Sequence, residues 1–153
     1  AWQRLARWLA LLLPLGLLGG ALAFQYIGGL YPCEMCYWQR WPHGAAIVLA
    51  ALSLTPPAST SLSRTLTLLA AAAIAISGAI GVYHAGVEAG VFEGFTQCTT
   101  PAVTLEEIMK TPLVRCDQVQ WSWAGISMAG WNAILSLGGA ALVAFLNLKR
   151  AQA

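Results

Sequence analysis

Charged residues leave four long gaps along this chain. None falls between Arg7 and Glu34, between Arg40 and Arg64, between Arg64 and Glu88, or between Asp117 and Lys149. Apolar residues fill each gap, and roughly 20 of them cross about 30 Å of hydrocarbon as a helix. Open strands and loops cannot satisfy their backbone groups in lipid, so the pattern reads as helices. Four are predicted, at about residues 6–28, 37–54, 65–87 and 120–147. Thr55-Pro56-Pro57 stops the second one early, so it must begin inside the motif before it. The expected fold is all-α: an antiparallel four-helix transmembrane bundle forming one integral membrane domain over residues 1–153. Outward loops are expected at about 29–36 and 88–119, the longer one containing a short surface helix.

Composition supports this picture. Of the 153 residues, 58% are hydrophobic and 9% charged, where soluble domains carry about 25% charged residues. The net charge of +2 comes with no basic patch, so nucleic acid is not an expected partner. Arg4, Arg7, Arg64, Lys149 and Arg150 fall on one side of the predicted spans, with no acidic residue among them. Glu34, Glu88, Glu93, Glu106, Glu107 and Asp117 fall on the other. The basic side is expected to be cytoplasmic, which places both termini inside. Arg4, Arg7 and Ala21-Leu22-Ala23 also fit a secretion signal, but the uncharged run to Cys33 exceeds the usual signal core, so it reads as a span.

Small residues mark expected helix contacts: Gly16 and Gly20 in the first span, Gly78 and Gly81 in the third, Gly138 and Gly139 in the fourth. Trp2 and Trp8 lie at one end of the spans, and Trp38, Trp41, Trp121 and Trp123 at the other, as in an interfacial belt. In the long loop, Thr104 followed by Glu107 matches a capping box, and Leu105, Ile108 and Met109 share one face of the short helix it starts.

All four cysteines fall on the outward side, which implies a compartment that tolerates disulfides, such as a periplasm. The first pair sits in Pro32-Cys33-Glu34-Met35-Cys36-Tyr37-Trp38-Gln39-Arg40, at the mouth of a span. The start of a helix, a second sulfur one turn away and Arg40 at i+4 would all favour a thiolate at Cys36. Cys33 is better placed to meet another disulfide. The second pair is Cys98 and Cys116. Tyr37 stands where a c-type haem site needs His. Zinc held by the four cysteines remains open, but an oxidising side favours disulfides, so no metal is assigned. Cys98–Cys116 could also be an inert structural disulfide. His84 and His43 lie near the outward ends of spans, where a polar group is a functional candidate. They could ligate a haem. A hydrogen bond from His84 to a quinone carbonyl is preferred, with His43 structural.

The Pro-Cys-x-x-Cys at 32–36, the aromatic pair at 37–38 and Arg40 resemble the signature of the DsbB family of disulfide-bond formation proteins. His84, Cys98 and Cys116 fit the same family, and the resemblance covers essentially the whole chain. It implies a multi-pass protein of the bacterial inner membrane with periplasmic cysteine loops. It implies a membrane thiol oxidase that reoxidises a soluble periplasmic thioredoxin-fold DsbA-like protein. Electrons would pass from Cys98–Cys116 to Cys33–Cys36 and on to ubiquinone or menaquinone. Cys33, Cys36, Cys98, Cys116 and Arg40 would be catalytic, with Cys36, Arg40 and His84 at the quinone. The family also implies departures: the insert between Cys98 and Cys116 is short, leaving Cys116 little slack to reach Cys33, and Gln39 stands where some relatives carry an acid. Two other readings compete. A vitamin-K-epoxide-reductase-like enzyme would place its Cys-x-x-Cys in a late span, after its loop cysteines, which is the reverse of the order here. A membrane scaffold or metal- or haem-binding subunit would hold stoichiometric metal.

Overall fold

A computed structural model of the protein describes residues 2–94, 98, 104–110 and 112–149. Part of the long loop, Arg150 and the chain ends lie outside the described residues. Among the described residues, five helices and a small hairpin follow one another: α1 Trp2–Tyr26, α2 Glu34–Ser53, α3 Ser61–Glu88, α4 Leu105–Lys110, β1 Ser122–Trp123, β2 Ile126–Ser127 and α5 Met128–Leu148. Three of them, α1, α3 and α5, are long and apolar enough to cross a membrane. The fourth long helix, α2, has 20 residues but carries Glu34, Gln39, Arg40 and His43, which dilute its apolar character.

Hydrogen bonds at one end show how the long helices run. Arg7, early in α1, donates to the carbonyls of Ser53 at 3.1 Å and Pro56 at 2.8 Å, at the end of α2. Arg64, early in α3, donates to the carbonyl of Asn147 near the end of α5, and Asn147 Nδ2 donates back to the carbonyl of Arg64. Gln3 reaches the carbonyl of Lys149. Starts of α1 and α3 therefore meet ends of α2 and α5, so neighbours are antiparallel. The arginines also satisfy carbonyls that a helix end leaves without partners.

The core between these helices is built from alanine: Ala6, Ala10, Ala46, Ala50, Ala70 and Ala71, with Ile74 and Val143. Small side chains let helix backbones approach closely. Between helices, Gly81 comes closest to the backbone of its neighbour, since a Cβ there would lie 2.9 Å from the carbonyl oxygen of Ala129. A Cβ on Gly139 would meet Leu13 of α1. Gly16, Gly20 and Gly138 differ from expectation, because a Cβ on any of them meets nothing within 4 Å. Gly16 and Gly20 border a cavity instead.

Helix α5 starts at Met128, later than the expected residue 120. The residues before it form the hairpin, with Ser122 opposite Ser127 and Trp123 opposite Ile126. Its two-residue turn, Ala124-Gly125, has positive φ at both positions, 54° and 76°. That backbone suits the twist of paired strands. Ser127 then caps α5, accepting a hydrogen bond from the amide of Gly130. In the long loop, Thr104 and Glu107 form the reciprocal capping pair, each amide donating to the other's side chain at 3.1 Å. Leu105, Ile108 and Met109 of α4 are exposed.

Candidate functional site: two cysteine pairs around one buried sulfur

Helix α2 opens at Cys33, which is its N-cap and makes no side-chain cap bond. One helical turn brings Cys36 back over it, and the two sulfurs lie 3.3 Å apart as free thiols. Cys33 is fully buried and Cys36 half-buried. The second pair, Cys98–Cys116, is a disulfide with its Cα atoms 5.4 Å apart, and the amide of Cys116 donates to the carbonyl of Cys98. The Cys33 sulfur lies within 4.8 Å of both sulfurs of that disulfide. It also lies within 4.8 Å of the Cys36 sulfur and a ring nitrogen of His84. Met35 and Val87 pack around this junction and keep water out. The short insert between Cys98 and Cys116 leaves the two pairs already side by side. Cys33, Cys36 and His84 are also close enough to one another to hold a soft cation.

The electrostatics favour charge on Cys33. A hydrogen bond from the Cys36 thiol brings the Cys33 thiol down from 9.0 to about 5, against burial and with help from His84. The open N-terminus of α2 acts in the same sense. The sequence spacing alone points to Cys36 instead. Arg40 does not turn to Cys36 for its bonds: it donates to Gln25 Oε1 at 2.6 Å and the carbonyl of Ala21 at 3.4 Å, and its guanidinium lies over the ring of Tyr37.

This arrangement fixes a pH dependence. The thiolate stabilises the reduced folded protein fully above 9.0, and that contribution is lost as the pH falls through about 5. Thiolate absorbance of the reduced first pair is therefore expected to titrate near 5. A midpoint near 9 removes the assignment. Because Cys33 is fully buried, alkylation would report Cys36 and not the thiolate.

His84, near the outward end of α3, joins the two pairs. Its Nε2 lies 3.0 Å from the carbonyl of Cys116 and 3.6 Å from the Cys33 sulfur. Its Nδ1 lies 2.8 Å from Gln39 Nε2. Both ring nitrogens are thus engaged within the protein. The sequence marks Gln39 only as a departure from the family pattern, and it does not mark Gln25, Ser77 or Asn132. The signal that finds them is their polarity inside apolar helices.

Beside the first pair lies a cavity of about 360 Å³. Its walls are mostly apolar, and Phe24 packs against Trp121 at a centroid distance of 4.9 Å along one side. Cys36, Arg40, His43 and His84 border it. An apolar cleft with a few convergent polar groups is the usual form of a small-molecule site.

A helical protein with three membrane-competent helices, a disulfide and a dithiol in contact at one end is a membrane-bound dithiol–disulfide exchange protein. Comparison with known proteins narrows this class. The chain belongs to the DsbB family: it matches the family described as "Disulfide bond formation protein DsbB" over residues 3–146. It is 32% identical to the disulfide bond formation protein B of Methylococcus capsulatus, over 88% of each chain. It is 29% identical to the protein of the same name from Hahella chejuensis, over 98% of each chain. For that of Xanthomonas oryzae pv. oryzae the identity is 28%, over 80% of this chain and 77% of the relative. No solved structure matches the chain significantly. Membership carries a coarse function with it: disulfide-bond formation by a membrane-bound disulfide oxidoreductase.

Proposed function

We propose that this chain is a quinone-dependent thiol oxidase of a bacterial inner membrane. In this reading all four long helices span the bilayer, both termini are cytoplasmic, and the cysteine end faces the periplasm. The shorter apolar reach of α2 is compensated because its polar residues face the bundle and the cavity, where membrane helices place them. A soluble periplasmic DsbA-like protein supplies the reducing dithiol.

The single observation that carries the proposal is the position of Cys33, whose sulfur lies within 4.8 Å of the Cys36 sulfur and of both sulfurs of the second pair. A partner thiolate attacks the sulfur of Cys98, and the S–S bond to Cys116 breaks. The partner's second thiol then closes its own disulfide and leaves Cys98 and Cys116 as a dithiol. One of these sulfurs attacks Cys33 of an oxidised Cys33–Cys36 pair, and Cys36 leaves as thiolate. Reforming Cys98–Cys116 leaves the first pair reduced, the state described above. Each exchange proceeds through a mixed disulfide.

The residues at the cavity fit a quinone, ubiquinone or menaquinone. A flat ring and isoprenoid tail suit apolar walls, and Arg40 and Cys36 border the same space. Bound there, a quinone supplies a two-electron, two-proton acceptor. Cys36, half-buried and at the cavity wall, faces it. Arg40, anchored to α1 through Gln25, sets a fixed positive charge at the site.

The experiment is quinone reduction by purified protein fed with a reduced dithiol partner, followed by quinone absorbance. Wild type is expected to turn over, and Cys36→Ser to lose essentially all of the rate. A Cys36→Ser protein that reduces quinone at the full rate sinks the proposal.

A further inference from the structure

Two backbone carbonyls fix the direction of a buried hydrogen-bond chain that runs to Cys33. Gln39 lies 3.0 Å from the carbonyl of Met35, so the side-chain atom there must be its NH₂, because a carbonyl only accepts. The same nitrogen lies 2.8 Å from His84 Nδ1 and donates to it. Neutral His84 therefore carries its hydrogen on Nε2. The other end agrees independently, since Nε2 faces the carbonyl of Cys116 at 3.0 Å.

Asn132 of α5 extends the chain. Its Nδ2 lies 3.2 Å from the carbonyl of Ser77, so that atom too is the donor. It donates to Gln39 Oε1 at 2.9 Å. Its Oδ1 accepts from Ser136 at 2.8 Å and from His43 Nε2 at 2.9 Å. Every donor thus points the same way: His43 to Asn132, Asn132 to Gln39, Gln39 to His84, His84 to Cys33 and Cys116. Flipping Gln39 would set oxygen against the Met35 carbonyl and nitrogen against Asn132 Nδ2. Aligned hydrogen bonds of this kind polarise one another in a low-dielectric interior.

We propose that Gln39 and Asn132 are positioning residues that hold His84 in the Nε2–H tautomer, so that one ring hydrogen faces the Cys33 sulfur and the Cys116 carbonyl together. This deepens the function proposed above and rests on Cys33 exchanging with the second pair. Donation to sulfur favours its thiolate form. Donation to the Cys116 carbonyl keeps the disulfide seated against that sulfur. The other groups that act on Cys33 are the Cys36 thiol and, at longer range, Glu88.

The test needs neither quinone nor partner, so its failure is distinct from failure of the oxidase reading. The protein is labelled with ¹⁵N-histidine, the first pair is reduced, and the ring nitrogens are read by NMR. There are only two histidines, so His43→Gln assigns the spectrum. His84 is expected to show a hydrogen-free Nδ1 and a protonated Nε2. Asn132→Asp keeps the size but replaces the donor to Gln39 Oε1 with a carboxylate, whose charge-assisted pull on the Gln39 NH₂ outweighs that of the neutral Met35 carbonyl, so Gln39 turns its NH₂ toward the new carboxylate and its oxygen toward His84. The hydrogen then moves to Nδ1, and the thiolate titration midpoint rises by about one unit or more. Gln39→Leu is expected to raise the midpoint too. Gln39→Glu sets a carboxylate, which only accepts, at Nδ1, so the hydrogen is expected to move to Nδ1 and the midpoint to rise here as well. A wild-type spectrum with hydrogen on Nδ1 overturns the proposal without any variant. So does an Asn132→Asp protein whose tautomer and midpoint match wild type.

Discussion

A Cys33→Ala variant is expected to lose quinone reduction by at least about 10³-fold while still accepting electrons at Cys98–Cys116. Loss of a nucleophile that acts as part of a unit has effects of that order or larger. The reason is positional. Cys36 borders the cavity, Cys98 and Cys116 form the disulfide, and the Cys33 sulfur alone is grouped with both sets. Without it, a partner dithiol still opens the second disulfide once, in a burst of one equivalent. Turnover then stops, because no sulfur remains to carry the electron pair across. The measurement is a single-turnover thiol assay beside steady-state quinone reduction. A variant that keeps both would mean that Cys36 exchanges directly with the second pair, and the relay through Cys33 would be wrong. A variant that loses even the burst would show that Cys33 also supports the disulfide itself.

The charge gaps made the long helices legible, because a charge inside lipid is expensive and its absence over a whole span is hard to mistake. The start of helix α2 was readable only through the cysteine motif, since Gln39, Arg40 and His43 weaken its apolar signal there. The capping box of α4 was readable from two residues, as the paired bonds of Thr104 and Glu107 confirm. The hairpin before α5 was not. Its turn is Ala124-Gly125, and alanine at φ 54° gives none of the warning that Asn-Gly would. In the site, the redox residues could be found because cysteines near a helix start are few and chemically distinctive. Which sulfur holds the charge could not. Arg40 at i+4 drew attention to Cys36, whereas the guanidinium is bonded to Gln25 of another helix, an encounter that no local spacing encodes. Gln39, Ser77 and Asn132 meet from three helices, so their network exists only after packing.

That dependence on packing gives the other large effect, at Gly81. A Gly81→Val variant is expected to lose roughly 3 kcal/mol, the upper end of what overpacking costs. The added Cβ would stand 2.9 Å from the carbonyl oxygen of Ala129, 3.1 Å from the amide nitrogen of Ala133 and 3.2 Å from Asn132 Nδ2. Two of these are backbone atoms of α5 and cannot step aside as a flexible side chain can. The helices α3 and α5 must then separate at the end where the cysteines meet. Separation draws Asn132 away from Gln39 and Ser77, so the loss of stability should come with loss of the His84 tautomer. Gly138→Ala is the control, since a Cβ there meets nothing within 4 Å. It should leave stability unchanged or raise it by up to about 1 kcal/mol through helix propensity. Both are read by denaturant unfolding in detergent, with helical signal and thiolate absorbance followed together. Equal stability for the two variants would mean that α3 and α5 do not approach as closely at Gly81 as described, and the hydrogen-bond chain built across that contact would fall with it.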